Sequence, residues 1–245
     1  MQIVEVSFIG VRSAVLRLTR RHTPLRFEFY PMVHIGEPAF YAAVTERLRR
    51  CDLIVAEGVG RTGGPSRADD PGRSWPNAVS ALTSSYRIPA WFERSGLIVQ
   101  NIPYATLGVP VRCPDMTREQ FDAGWRALPL WQRAVAAVAA PLVGLDRLAF
   151  GSRRALARDL ELTDVDWHDR LSDADTMEQL EDLIGDQRDR LLIAELDEIH
   201  RQRKDEAITV AVVYGAEHVA PAIHSMRALH GYGVRGAEWL TVFDF

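Results

Sequence analysis

The sequence predicts an α/β fold with a mostly parallel central sheet flanked by helices and a helical insertion at about residues 130–165. The first observation behind this prediction is a run of apolar, largely β-branched residues at 208–214, which is typical of a strand covered on both faces. Gly215 then permits a sharp turn, and an amphipathic helix that contains His218 follows and is stopped by Gly231. Strands that lead directly into helices indicate an α/β sheet.

The second observation is a strand, helix, strand pattern in the first quarter of the chain. Residues 25–34 form the first predicted strand, which ends in His34, and residues 51–58 form the second, which contains Glu57. Between them, residues 39–50 carry a single apolar stripe at helical spacing, formed by Phe40, Val44 and Leu48. Such a βαβ unit implies parallel strands joined by a right-handed crossover.

The other elements flank these two units. Two strands are predicted at Ile3–Gly10 and Ala14–Arg20, joined by a short turn, and a closing strand at Gly236–Phe245. A long, highly charged helix is predicted from Asp173 to about Lys204. The length suits one large domain, which we expect to cover residues 1–245.

The middle of the chain is predicted to alternate between loops and helices. Residues 58–76 are rich in Gly, Pro, Ser, Arg and Asp, which predicts a long mobile loop that borders the strand ends. A strand at 109–115 contains two prolines that limit its pairing. Thr117 with Gln120 resembles a capping box at the start of a helix, and a helical cap is expected at about residues 128–165.

Composition excludes several classes of protein. A formal net charge of -4 gives no electrostatic basis for binding nucleic acid or an anionic membrane. The most apolar stretch, residues 134–145, is too short to span a bilayer. Two cysteines and an N-terminus without signal-peptide features predict a cytoplasmic protein without a disulfide framework. The sequence contains no Walker A, Gly-x-Gly-x-x-Gly or Gly-x-Ser-x-Gly motif, which argues against P-loop nucleotide binding, a dinucleotide fold and a serine hydrolase.

Four polar residues stand at the ends of four predicted strands: His34, Glu57, Asp115 and His218. Ligands of open parallel sheets bind outside the carboxyl ends of the strands, so these side chains would converge if their strands are neighbours. Two imidazoles with one or two carboxylates suit a divalent ion such as zinc, manganese or cobalt. Water bound to such an ion has a lowered pKa and can attack a carbonyl or an ester.

Each of these residues also has a structural interpretation. A single histidine at a strand end is usually a hydrogen-bonded structural residue. Glu57 could accept backbone N–H groups at the following turn, and Asp115 could cap a helix or form an Asx turn. Another histidine, His200, is followed by several cationic residues and is predicted to lie at an exposed helix end.

Several short motifs, in this order along the chain, resemble those of the TraB/GumN/PrgY family, which includes the TIKI metalloproteases. Gly215–His218 is similar to the second Gly-x-x-His motif of that family, and His34–Gly36 resembles the first. Asp52–Glu57 resembles the family's glutamate-ended strand, and Pro114–Met116 its middle-strand aspartate. Gln187–Asp189 resembles a Glu-Arg-Asn element. The resemblance spans roughly residues 25 to 235.

The resemblance implies the fold of the TIKI and erythromycin-esterase kind and metal-dependent hydrolysis of a peptide or ester bond. His34, His218 and Glu57 would hold the ion, and Glu57 could instead take the proton of the attacking water. Asp115 would be a fourth ligand or a partner of a histidine. Arg188 would orient Glu57 or stabilise the oxyanion of the intermediate.

Two other functions are compatible with the sequence. A non-catalytic binder of a ligand or signal peptide could keep the same fold, and Pro31 favours it because the first family motif normally has Gly there. Gln187 and Asp189 are further departures from the family pattern. The third interpretation is a structural partner protein that uses the helices predicted between residues 130 and 162.

Overall fold

The computed structural model describes residues 1–58, 95–133, 152–157, 160, 162–163 and 185–245. The described strands are β1 (Gln2–Val6), β2 (Gly10–Arg20), β3 (Thr23–Met32), β4 (Ile35–Gly36), β5 (Leu53–Ala56), β6 (Ile98–Val99), β7 (Val111–Arg112), β8 (Leu162–Thr163), β9 (Thr209–Gly215) and β10 (Gly233–Asp244). The described helices are α1 (Pro38–Leu48), α2 (Arg118–Ala127), α3 (Arg153–Ala157), α4 (Gln187–Arg203) and α5 (Ala216–His230), with a 3-10 turn at Tyr104–Thr106.

The described strands form a mixed sheet of the α/β class. Its order is β7-β5-β9-β3-β2-β1-β8, and β10 pairs with β2. The strands β3, β9, β5 and β7 are parallel to one another, while β3 pairs with β2 in antiparallel fashion and β1, β2, β8 and β10 form antiparallel pairs. One half of the sheet is therefore parallel, as expected, and the other half is antiparallel. The short connections from β1 to β2 and from β2 to β3 are hairpins, which impose antiparallel pairing.

The strand β9, from late in the chain, lies between the two strands of the predicted βαβ unit. β3 and β5 are parallel, as predicted, but each of them pairs with β9 rather than with the other. Val210 of β9 lies opposite Phe27 on one side and Leu53 on the other. Its central position agrees with its continuous burial from Val210 to Tyr214.

Helices pack on the sheet through apolar stripes at helical spacing. In α1 the buried residues are Phe40, Tyr41, Val44 and Leu48, and this helix contacts β10. In α4 they are Leu192, Leu196, Ile199 and His200. The helix α5 contacts α4, β3 and β1, so it links the charged helix to the sheet.

Several local predictions are confirmed. Thr117 accepts a hydrogen bond from the backbone N–H of Gln120, and the Gln120 side chain accepts one from Thr117, which completes the capping box of α2. The helix α5 ends at Gly231, whose φ of 72° is left-handed and favours glycine.

Pro31 lies within β3 opposite Tyr214, and its carbonyl accepts a hydrogen bond of 2.6 Å from Ser13 Oγ.

Other predicted elements are shorter than expected or fall outside the described residues. The strand predicted at 109–115 is reduced to Val111–Arg112, because Pro110 and Pro114 on either side cannot donate to a ladder. Most of the helical insertion and nearly all of the 58–76 loop lie beyond the described residues. Within the described ranges, no helix is long and apolar enough to cross a membrane.

Candidate functional site

The four predicted site residues lie at one edge of the sheet. Glu57 directly follows β5, and His34, His218 and Asp115 follow β3, β9 and β7 within three residues. These four strands are parallel neighbours in the order β7-β5-β9-β3. Their carboxyl ends therefore meet at the same edge, as predicted.

A guanidinium group joins the two carboxylates at this edge. Arg188 of α4 donates from Nη2 to Oε1 of Glu57 at 2.5 Å and to Oδ2 of Asp115 at 2.8 Å. Its Nε donates to Oδ1 of Asp115 at 3.0 Å. The side chains of Arg188, Glu57 and Asp115 are only 12%, 15% and 0% exposed. Arg188 therefore binds Asp115 through two nitrogens and reaches Glu57 with one of them, inside a largely desolvated cluster.

Backbone donors complete the bonding of the two carboxylates. Gly58 N–H donates to Oδ2 of Asp115 at 2.9 Å, and Met116 N–H donates to Oδ1 at 2.8 Å. Gly215 N–H donates to Oε2 of Glu57 at 2.7 Å. Both oxygens of Asp115 thus accept from the guanidinium and from the backbone, so this residue mainly positions Arg188. Glu57 also accepts a backbone N–H, but from Gly215 at the end of the neighbouring strand β9 rather than from the turn that follows Glu57.

The environment keeps Glu57 ionised. Burial of its carboxyl is the largest single effect and raises the pKa, but the charges of Arg188, His34 and His218 and the hydrogen bond from Arg188 together outweigh burial. Together these groups lower the pKa of Glu57 to about 2. A carboxyl with this pKa is a weak base and holds no proton to donate near neutral pH.

His218 has one ring nitrogen in a hydrogen bond and the other, Nε2, without one, although Oε1 of Glu217 lies 3.6 Å from Nε2. The residue is 1% exposed, and its Nδ1 lies 2.7 Å from Oδ1 of Asp189. Because an ionised carboxylate can only accept, Nδ1 carries the proton in this contact. Burial disfavours the imidazolium, but the hydrogen bond to Asp189 raises the pKa of His218 overall. Among the described side chains, Nε2 of His218 is one of two buried polar atoms without a hydrogen-bond partner.

Gly215 is where the backbone comes close to both groups. A Cβ placed on it would lie 3.3 Å from Oε2 of Glu57 and 3.5 Å from Cδ2 of His218. The absence of a side chain therefore lets Glu57 and the imidazole approach the same point. This close approach gives Gly215 a role in addition to the turn that the sequence predicted.

His34 lies at the exposed rim of the same edge. Its Nδ1 is 3.2 Å from Oε1 of Gln100, which is carried there by the two-stranded pairing of β4 with β6. Its charge contributes to the lowered pKa of Glu57. His34 therefore belongs to the electrostatic environment of the site, while its ring is held beside Gln100.

The predicted metal ligands fit a divalent ion only in part. His218 offers an unpaired Nε2 and is oriented by Asp189, an arrangement common for metal-bound histidine. Asp115 offers no oxygen without a bond to Arg188 or the backbone. In the part of the chain that the structure describes, no three His, Cys, Asp or Glu side chains are arranged to hold an ion. The chemistry of His34, Glu57 and His218 suits a metal, with Nδ1 of His34 beside Oε1 of Gln100.

Sequence reasoning missed the role of Asp189 and the environment of His200. Asp189 follows Arg188 directly, and it was noted only as a departure from the family's Asn. The prediction that His200 is exposed is wrong. It is 4% exposed, its Nδ1 lies 3.2 Å from the Tyr232 hydroxyl, and its ring packs on His230. Its burial depends on α5 packing against α4, which the local sequence does not reveal.

Comparison with known proteins gave no match to any protein-family model, any curated protein or any solved structure.

Proposed function

We propose that this chain is a hydrolase that cleaves a peptide or ester bond with a water molecule activated at the carboxyl edge of the sheet. The observation that carries the proposal is the buried Nε2 of His218, which makes no hydrogen bond and has only Glu217 near it at 3.6 Å, while the other nitrogen is bonded to Asp189. A general base needs a free lone pair and a fixed ring, and this pair provides both. The resemblance to the TraB/GumN/PrgY family supports the same class of reaction.

In the proposed reaction, water attacks the carbonyl carbon while Nε2 of His218 accepts its proton. The tetrahedral intermediate then collapses, the bond to the leaving group breaks, and the imidazolium returns the proton to that group. Asp189 holds the ring and stabilises the imidazolium that forms. Among the described residues, Nη1 of Arg188 has no hydrogen-bond acceptor, so it is able to donate to the oxyanion.

The metal-dependent form of the proposal adds a zinc, manganese or cobalt ion held by Nε2 of His218 with Glu57 and His34. Such an ion, when bound, lowers the pKa of its water towards neutrality. This form requires Glu57 to share its oxygens between the ion, Arg188 and Gly215, while Nδ1 of His34 lies beside Gln100. Loss of activity on removal of metal separates this form from direct base catalysis by His218.

The alternative is a non-catalytic binder with the same site. The closed arrangement of Glu57, Arg188 and Asp115 favours it, because both carboxylates are already bonded to the same guanidinium group. In that case Nη1 of Arg188 would donate to a ligand oxygen and Nε2 of His218 would accept from a ligand hydroxyl or N–H group, without turnover. A ligand that stabilises the protein without being hydrolysed would support this alternative.

The test compares three variants on p-nitrophenyl esters and on a fluorogenic peptide library. His218→Gln is expected to lower kcat/KM by about 10²-fold or more, because it removes the base. Asp189→Asn should lower the pKa of His218, since the carboxylate raises it, and move the acidic limb of the pH–rate profile to lower pH. The control is His224→Gln, an exposed histidine on the same helix, and it should be unchanged. No turnover of any probe, with or without added metal, would contradict the hydrolase proposal.

A further inference from the structure

A polar pocket of about 480 Å³ lies at the opposite edge of the sheet from the candidate site. Its lining includes three arginines and three threonines: Arg17, Arg26, Arg235, Thr19, Thr23 and Thr209. Arg26 and Thr209 face each other at the start of β3 and β9, whereas Met32 and Gly215 pair at the other end of the same strands. Six residues of strand separate the two ends, or about 20 Å. The pocket is therefore separate from the Glu57 and His218 site.

Strand alternation brings these side chains to one face. Phe27 and Phe29 of β3 are fully buried on the face covered by helices, so Arg26 and Glu28 point to the other. Arg17 of β2 lies directly opposite Glu28 in the ladder. The pocket therefore occupies the amino-terminal part of this second face.

A β-bulge supplies the third arginine. In the pairing of β10 with β2, Val234 lies opposite Leu18 and Gly236 opposite Arg17, which leaves Arg235 as the extra residue. Bulges redirect a side chain and are frequent next to functional sites. Here the bulge interrupts the regular alternation of side chains along β10, and Arg235 lines the pocket.

The pocket carries an excess of positive charge. Its single lining carboxylate, Glu28, lies 3.5 Å from Arg17 and also accepts from the Tyr30 hydroxyl. Arg17 is further balanced by Glu238 at 3.4 Å. Arg26 and Arg235, in contrast, form no ion pair with any residue in the described ranges. Two guanidinium groups are thus available to a ligand that carries two negative charges.

We propose that this pocket binds a phosphate group, either free or as the monoester of a small molecule. Arg26 and Arg235 would each donate to the phosphate oxygens in the forked geometry that guanidinium groups favour. The hydroxyls of Thr19, Thr23 and Thr209 are neutral donors for the remaining oxygens. The pocket volume is in the range of small-molecule sites, so it admits the phosphate with a modest organic substituent.

The test is titration calorimetry at constant ionic strength with inorganic phosphate, glycerol 2-phosphate and succinate. We expect saturable binding of a phosphate probe at about one equivalent, and binding about tenfold weaker or more in Arg26→Gln/Arg235→Gln. Tighter binding of glycerol 2-phosphate than of inorganic phosphate would assign the site to monoesters, and the reverse order to free phosphate. Equal binding of succinate would overturn the assignment to phosphate.

Two controls separate this site from general charge and from the candidate active site. Arg126→Gln/Arg227→Gln removes two exposed arginines on α2 and α5 and should leave phosphate binding unchanged. His218→Gln should also bind phosphate normally, since it lies at the other edge of the sheet. Equal weakening by both arginine pairs, or no saturable binding of either phosphate probe, would overturn the proposal.

Discussion

Nη2 of Arg188 lies 2.5 Å from Oε1 of Glu57, although the two residues are 131 positions apart in the sequence. The contact joins the charged helix α4 to the end of the buried strand β5. Since both side chains are nearly excluded from water, loss of either one would leave the other as a buried, uncompensated charge.

Removal of Arg188 should destabilise the protein strongly. Arg188→Ala leaves Glu57 and Asp115 buried without their shared cation, and breaking a buried pair in this way costs about 3–5 kcal/mol. The control is Arg190→Ala, because the Arg190 side chain is 68% exposed and its loss should cost less than about 1 kcal/mol. Urea unfolding of both variants measures the difference. Similar midpoints for the two would show that Arg188 is not a buried partner.

Glu57 should make the stability of the protein depend on pH in the acidic range. Its pKa is lowered from 4.5 to about 2 in the folded chain, so the unfolded chain binds this proton first as pH falls. The stabilisation is fully present above the unfolded value and is lost as pH falls through the folded value. The free-energy difference between wild type and Glu57→Gln should therefore shrink below about pH 4.5. A difference that stays constant from neutral pH down to pH 2.5 would contradict this assignment.

Gly215→Ala should impair activity more than it impairs stability. The added methyl group would lie 3.3 Å from Oε2 of Glu57, and its neighbours would have to shift by a few tenths of an ångström. Gly231→Ala is the matched control, because its left-handed backbone is strained by a side chain but open space surrounds it. We expect the control to lose about 1 kcal/mol of stability with normal kcat/KM. Normal turnover by Gly215→Ala would show that the spacing of Glu57 and His218 is not critical.

The proposal that a divalent ion binds is tested by measuring the metal content of the purified protein. The protein loaded with zinc, manganese or cobalt and then dialysed at neutral pH is expected to retain about one equivalent. His34→Ala and His218→Ala should each lose it, while His224→Ala should not. Binding should weaken as pH falls through about 6.5, because a ligating imidazole must be neutral. If wild type retains no ion, the metal-dependent form is wrong and His218 with Asp189 remains as the proposed base.

The sequence by itself determined the features that depend on near neighbours. The buried strand β9, the turn at Gly215 and the left-handed end of α5 at Gly231 follow from residue type and spacing within about twenty positions. The capping box at Thr117 is equally local. Four strand ends with polar residues were recognisable for the same reason, and parallel strands with helical crossovers place such ends at one edge.

Only the tertiary structure decided which of these elements meet. No local pattern shows that β9 lies between β3 and β5, because strand order depends on the packing of the whole chain. That order sets Gly215 N–H against Glu57, and the packing of α4 brings Arg188 to Asp115 and Asp189 to His218. The burial of His200 and the placing of Arg235 by a bulge have the same origin. Such contacts join residues far apart in sequence, so they follow from the shared burial of apolar faces rather than from local propensity.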